Sequence, residues 1–354
     1  MRSYIAGPDA LAAQIMGEVG RAAAQGQLPS KDTLARVERL ANEYPLSAEP
    51  FLVHAAIALK DGDNVRAEKL LIAARHRAPR SPAARYLLGD LYIRTARPVE
   101  AMTEMAVLNR LVPSAGVQLA PALAEYARTP GTAPQVRSIL ASYPELEVPV
   151  LAQLSSDPRN ADLIMSLASR RTNQDPAPDW QRLMLITLVN SGEYDRAYAI
   201  WRKLTNVPDL RAGFYNPNFT DKSAPGPFNW QFAQGAGGVA EPSAGGGLQV
   251  VYFGRDSVDL AQQVLLLPPG SYRLAANVSG DLGADGSIGW KVTCVGTNRE
   301  LFRLPLKGSG PASGQFAVPA DCKAQRIALA AEAPEVPDAA DFRITGLQLT
   351  RLQQ

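Results

Sequence analysis

Two cysteines, two histidines and a run of arginines are the residues of this 354-residue chain whose types invite chemistry. Cys294 and Cys322 lie in the strand-like runs KVTCVG and PADCKA and form a candidate disulfide. A bridge would close a loop of roughly 30 residues, stabilise by about 3 kcal/mol in the chain-entropy view, and persist only in an oxidising compartment. The alternative is a pair of unlinked buried thiols. His54 lies in the apolar run FLVHAAIAL and His76 in ARHRAPR, both distant in sequence from the cysteines. A metal centre needs clustered His, Cys or carboxylate ligands, so no metal site and no cofactor is expected, and His54 reads as a histidine packed in a helix interface. Arg75, Arg77, Arg80 and Arg85 surround a helix end, where cations meet the terminal carbonyls; the second reading is a patch for an acidic partner. The glycine-rich stretch Gly235–Gly247 lacks the lysine and the strand–loop–helix setting of a phosphate loop and reads as a flexible hairpin or loop. No carboxylate pair stands out as a glycosidase acid and base, so no catalytic residue is assigned and the chain is expected not to be an enzyme.

The elements that must position these residues fall into two regimes. Hydrophobic residues make up 46% and charged residues 20%, the balance of a folding globular chain, and the length favours two domains or a repeat array beside a domain. Residues 1–212 carry 25 basic and 22 acidic side chains and the remainder 11 and 12, giving +3 and −1. Neither part has the strongly basic character of a nucleic-acid binder, and no such partner is expected. No apolar run of about 18 residues predicts a transmembrane segment. Met1 to Gly26 lacks the charged start, apolar stretch and cleavage site of a signal peptide, so the protein is expected to be cytoplasmic or to have had its export signal removed.

The first 212 residues place Ala, Leu and Arg at helical spacing, broken by Pro about every thirty positions, which predicts an all-α domain over 1–212. Residues 50–79 align without a gap on 84–113, at an offset of 34. Ala55 falls on Gly89, Leu59 on Ile93, Gly62 on Ala96, Ala67 on Ala101, Leu71 on Met105 and Pro79 on Pro113. This order of small, large and breaker positions resembles the tetratricopeptide repeat (TPR). A further unit resembles it over 181–208, where Gly192, Tyr194 and Ala197 echo the turn and the second helix. Residues 8–45 are read as a divergent capping pair and 117–171 as four short helices separated at Pro130–Pro134, Pro144 and Pro158. Such stacks commonly hold a protein or peptide on one face, so a protein partner is expected there, although the stack could equally serve only to position the second domain.

A short boundary near Pro208 to Phe214 leads into residues 213–354, rich in Gly, Pro and alternating runs such as LQVVYFG and SYRLAANVSG. About eight to ten strands are expected, enough for an antiparallel β-sandwich of jelly-roll type. The run LAQQVLLLPPGSYRLAANVSG, with the early NPNF segment and the terminal DFRITGLQLTRL, resembles the layout of galactose-binding-like carbohydrate-binding modules. The terminal strand lacks the paired Asp common in that family, so no calcium site is carried over. The resemblance implies glycan recognition, in which an aromatic face stacks on a pyranose ring and polar neighbours bond its hydroxyls. Trp230, Tyr252, Phe253 and Trp290 lie in or beside strands, with Asn229 and Arg255 as polar contacts beside Gln231, Gln249 and Lys291. Neighbours on a strand face opposite ways, so one of Tyr252 and Phe253 belongs to the core. Trp230 and Trp290 could equally be sandwich anchors.

TPR-like repeats joined to such a sandwich resemble accessory proteins of bacterial exopolysaccharide or cell-envelope systems. The resemblance implies a non-enzymatic periplasmic scaffold with a protein partner on its repeats and polysaccharide on its sandwich. Two other readings stand beside it: a scaffold whose sandwich is only a docking surface, and a divergent glycan-active enzyme.

Overall fold

A computed structural model describes residues 8–25, 27–112, 119–169, 177–210, 213–283 and 287–353. TPR-like helical repeats are followed by an antiparallel β-sandwich. The helices run in hairpins: α1 (Pro8–Ala24) with α2 (Lys31–Glu43), α3 (Glu49–Lys60) with α4 (Asn64–Arg77), and α5 (Pro82–Arg94) with α6 (Pro98–Leu111). Four short helices come next, as the prolines predict: α7 (Leu119–Arg128), α8 (Ala133–Ser142), α9 (Glu147–Leu154) and α10 (Ala161–Leu167). A last hairpin, α11 (Asp179–Asn190) and α12 (Tyr194–Thr205), closes the helical part. The chain forms two compact units, Met1–Val150 and Leu151–Gln354, so α10 to α12 belong to the same unit as the sandwich, and the division falls earlier than the change from helix to strand.

The 34-residue period has a local cause. α3, α5 and α11 each end in the same way, with a left-handed residue, Gly62 (φ 77°), Ala96 (φ 56°) or Gly192 (φ 81°), followed by an amide that reaches back over the last turn. Asp63 N donates to Ala58 O, Arg97 N to Tyr92 O and Glu193 N to Leu188 O, which satisfies carbonyls a helix end otherwise leaves open and turns the chain into the second helix. Small residues then let the pair close: Ala55 and Ala67 are fully buried, and a Cβ at Gly89 would press on Met105 at 3.1 Å. Leu71, Leu88 and Leu91 fill the shared core between these hairpins.

Three of the four arginines of the run, Arg75, Arg77 and Arg85, are tied into the helices. Arg77 lies 3.8 Å above the Phe51 ring and donates to Pro45 O and Ala73 O, while Arg85 donates to Pro79 O. Arg75 and Arg85 also close on Glu104, a residue of α6 that is only 3% exposed. His54 of α3 faces Glu38 of α2 at 3.1 Å.

In the sandwich, a five-stranded sheet has the order β1 (Gln231–Phe232), β5 (Val258–Leu265), β10 (Gln325–Ala331), β7 (Ile288–Cys294), β8 (Glu300–Pro305). A six-stranded sheet has the order β2 (Gln234–Gly235), β3 (Gly238–Pro242), β4 (Leu248–Tyr252), β11 (Ala340–Arg351), β6 (Gly270–Asp281), β9 (Gly310–Val318). Alternation fixes the faces: Leu274, Ala276 and Val278 of β6 point inward while Arg273, Asn277 and Ser279 point to solvent. Part of the glycine-rich stretch is strand, since β3 begins at Gly238, where a Cβ would strike Leu260 Cδ2 and Val251 O at 2.8 Å.

The connections β4–β5, β6–β7, β8–β9 and β10–β11 all cross between the sheets at one end, as the pairings Ile288 with Ala331, Gly289 with Pro305 and Tyr252 with Ala340 require. Cys294, opposite Gln325, marks the other end.

Candidate functional site

Cys294 and Cys322 are joined by a disulfide, with a Cα–Cα separation of 5.6 Å. Both are buried, and Gln325, itself fully buried, ties the bridge to the rest of the sandwich: its Nε2 donates to Cys322 O and its Oε1 accepts from Leu267 N. At this end Tyr194 of α12 approaches the turn after Cys294, its hydroxyl 3.4 Å from Val295 O.

The same helix seals the sandwich with aromatic side chains. Trp201 is fully buried, stacks on Tyr198 at 5.7 Å, and meets Tyr215 edge-on at 5.0 Å and Phe228 at 5.7 Å, while its Nε1 donates to Pro225 O at 3.0 Å. Beneath it Tyr215 donates its hydroxyl to Asp221, which also accepts from the amide and hydroxyl of Ser223. Burial opposes the charge on Asp221, but these hydrogen bonds outweigh it and hold the carboxyl below its ordinary value; burial, then the carboxylate, pushes the Tyr215 hydroxyl well up. A depressed carboxyl contributes stability that is complete above the unfolded value of about 3.9 and fades as pH falls through the folded value. Asp221→Asn is therefore expected to cost about 1–2 kcal/mol at neutral pH, the gap to wild type narrowing in acid. Urea unfolding at about pH 7 and about pH 3 checks this, and a gap independent of pH contradicts it.

The residues expected to stack on a sugar are mostly core. Trp230 is 5% exposed, Tyr252 and Trp290 are 0% exposed, and all three belong to the single apolar cluster between the sheets. Trp230 leans on Phe219 and Trp290 and donates Nε1 to Asn216 O at 3.0 Å; the Tyr252 hydroxyl donates to Glu332 O at 3.1 Å. Asn229 is equally enclosed: Nδ2 donates to Ala224 O and Asp221 O, and Oδ1 accepts from Trp230 N. Those four residues are corrected from glycan contacts to interior: Tyr252 and Trp290 take inward positions of β4 and β7, between two sheets that need large side chains to fill the gap, while Asn229 and Trp230, in the segment before β1, are held inside by the hydrogen bonds just named. Arg255 is exposed.

Alternation that turns Tyr252 inward turns Phe253 outward. Phe253 is 39% exposed at the end where the sheets exchange strands, and Val336, in the β10–β11 loop of the same end, is 72% exposed. Among the described residues of the sandwich these are the large apolar side chains left in the open. Three loops are locked together beside them. Gly254 (φ 68°) leaves no room for a Cβ against the Asp338 backbone, and a Cβ at Gly283 (φ 72°) would meet the Asp338 carboxylate, so the β4–β5, β6–β7 and β10–β11 loops converge on one residue. Ser257 Oγ accepts Ala333 N at 3.0 Å and Phe253 N donates to Gly237 O at 3.2 Å, adding the β2–β3 turn. The result is an exposed aromatic ring and an exposed apolar side chain at one braced end of the sandwich, with Arg255 and Asp256 exposed in the same loop as the ring.

In the helical unit, Ile93, Pro98, Ala101, Met102, Met105, Leu119 and Ala122 line an apolar cleft of about 310 Å³. Ile93 and Tyr86, on one face of α5, are 60% and 57% exposed. Among the described residues no group of His, Cys, Asp and Glu could hold a metal ion, and no helix is long and apolar enough to cross a membrane.

Residues 58–126 match the tetratricopeptide repeat family. The match runs from the last turn of α3 through α4, α5 and α6 into α7, and so includes the turns at Gly62 and Ala96. No curated protein matches the sequence. Among solved structures, the chain is similar to a glycosylation-associated protein complex (Gap123) of Streptococcus agalactiae, with 18% identity and a TM-score of 0.27 over 35% of this chain and 42% of that one. The chain thus spans less than half of that relative. It is also similar to a carbohydrate-binding module of Cellvibrio mixtus lichenase 5A (12% identity, TM-score 0.25, 41% of this chain, 100% of that one). A third similar structure is a tetratricopeptide repeat protein of Parabacteroides merdae (16% identity, TM-score 0.27, 60% of this chain, 84% of that one).

Proposed function

We propose that this protein is a non-enzymatic scaffold of bacterial polysaccharide assembly or export, working in the periplasm, with a protein partner on its TPR repeats and glycan at the loop end of its sandwich. One observation carries the glycan half: Phe253 stands exposed on a platform braced by three converging loops, the setting an aromatic needs to stack on a sugar without losing ordering entropy. The disulfide supports an oxidising compartment, since such a bond is kept reduced in the cytosol of most bacteria. The exposed face of α5 with its Met-lined cleft supports the partner half, because polarizable, unbranched methionines adapt to an incoming apolar side chain.

Affinity electrophoresis of the full chain through gels containing neutral, anionic and cationic polysaccharides tests this reading. One polysaccharide is expected to retard the wild type, and Phe253→Ala to lose most of the retardation, about tenfold or more in affinity for a stacking residue. Retardation unchanged in Phe253→Ala removes the loop end from the account. No retardation in any gel leaves the sandwich as a protein-docking surface, for which Val336 is the exposed apolar contact.

A further inference from the structure

The charge around Phe253 selects among glycans. Asp256, Asp281, Glu335 and Asp341 are exposed at this end of the sandwich, and Asp338 sits at the loop junction. Glu332 is offset by Arg303, leaving Arg255 and Lys307 as the cations of the described loops. Hydrogen bonds engage some of these carboxylates without neutralising them: Asp341 accepts from Gln249 Nε2 at 2.6 Å and Asp281 from Gly283 N at 3.0 Å. The Asp256 charge reaches the core, where it adds to burial in pushing the Tyr252 hydroxyl up. The negative balance is local, because the whole chain carries +2. A uronic-acid polymer arriving at Phe253 would meet like charge, whereas a protonated amine at this end would meet the carboxylates of the β4–β5 and β10–β11 loops.

We propose that the glycan taken at this loop end is cationic, a hexosamine polymer carrying free, protonated amino groups. This rests on the glycan reading of the Phe253 platform. The ring supplies stacking to the apolar face of the sugar, and Asp256 and Glu335 supply the acceptors that distinguish an ammonium from an acetamide.

The test compares three probes of similar length on the full chain at about pH 6 by isothermal titration: glucosamine oligomers, their fully N-acetylated counterparts and oligogalacturonate. Glucosamine oligomers are expected to bind about tenfold tighter than the N-acetylated series, with the difference shrinking between about 20 and about 300 mM salt, and oligogalacturonate is expected not to bind. In the Asp256→Asn, Glu335→Gln double variant the glucosamine affinity should fall to the N-acetylated level, whereas Phe253→Ala should weaken both series. Equal or tighter binding of the N-acetylated or the anionic oligomer overturns the cationic preference and leaves the platform reading intact. Absence of binding by all three probes overturns the cationic preference, and the gel retardation by neutral polysaccharide then decides the platform reading by itself. Glucosamine binding that neither variant alters, or that a lysine-rich peptide matches, is a general charge effect and also overturns the proposal.

Discussion

Trp201→Ala is expected to lower the stability of the unit formed by residues 151–354 by about 3–5 kcal/mol. The indole is fully buried at the meeting of α12 with the segment before β1, touches three other aromatic rings, and donates to Pro225 O. Removing it leaves a void between elements of two kinds, helix and loop, neither of which can collapse onto the other without breaking the Tyr215–Asp221 and Asn216–Asn229 hydrogen bonds beneath. Trp201→Phe keeps most of the volume and loses the hydrogen bond, so a smaller cost of about 1–2 kcal/mol is expected. Urea unfolding of the full chain followed by far-ultraviolet circular dichroism measures both. If Trp201→Ala shifted the midpoint no more than Trp201→Phe, the seal would not be a packing element.

Glu104→Ala is expected to cost the helical unit about 3–5 kcal/mol. Its carboxylate is withdrawn from solvent between the guanidinium groups of Arg75 and Arg85, whose side chains keep 25% and 15% of their exposure. Breaking one side of such an arrangement strands the partners' charge in a partly desolvated place, which costs more than the intact pair contributes. Glu104→Gln retains an acceptor and the volume and should lose about half as much. Thermal unfolding of the three proteins at low and high salt checks this. A loss that salt abolishes would mean the cluster behaves as a surface ion pair.

The repeat was legible because its cause is local. A left-handed turn residue, small residues at the helix contact and a closing proline recur at one offset, and each acts within a few residues of itself. The sandwich was legible for the same reason, through period-two alternation punctuated by Gly and Pro. What escaped depends on contacts far apart in the chain. Glu104 looks like any solvent-facing carboxylate on α6 until the helices bring Arg75 and Arg85, 29 and 19 residues earlier, to either side of it. Trp230, in the segment before β1, carries no local mark of which way it faces, whereas Trp290 shares the register of Ile288, Val292 and Cys294, an alternation that already pointed it inward. Alternation did say that Tyr252 and Phe253 part company, yet the direction was settled by Ala340 and Gly238 pairing with Tyr252 on either side. The three-loop junction at Asp338 joins glycines more than 50 residues from it and had no local signature in either. Nor did the change of composition near Pro208 show that α10 to α12 pack in one unit with the strands; a fragment starting at residue 213 would uncover Tyr215 and Phe228 by removing Trp201 and Tyr198.

A glycan held at the loop end of the sandwich slows backbone exchange there. Hydrogen exchange of the full chain, read by mass spectrometry with and without the polysaccharide that retards it, locates that surface. Slower exchange confined to residues 253–257 and 332–339, with the Val295–Asn298 turn and the six-stranded sheet unchanged, is the predicted result. Protection that appears only on the outer face of the six-stranded sheet, around Asn277 and Arg343, or only in the helical repeats, would contradict it.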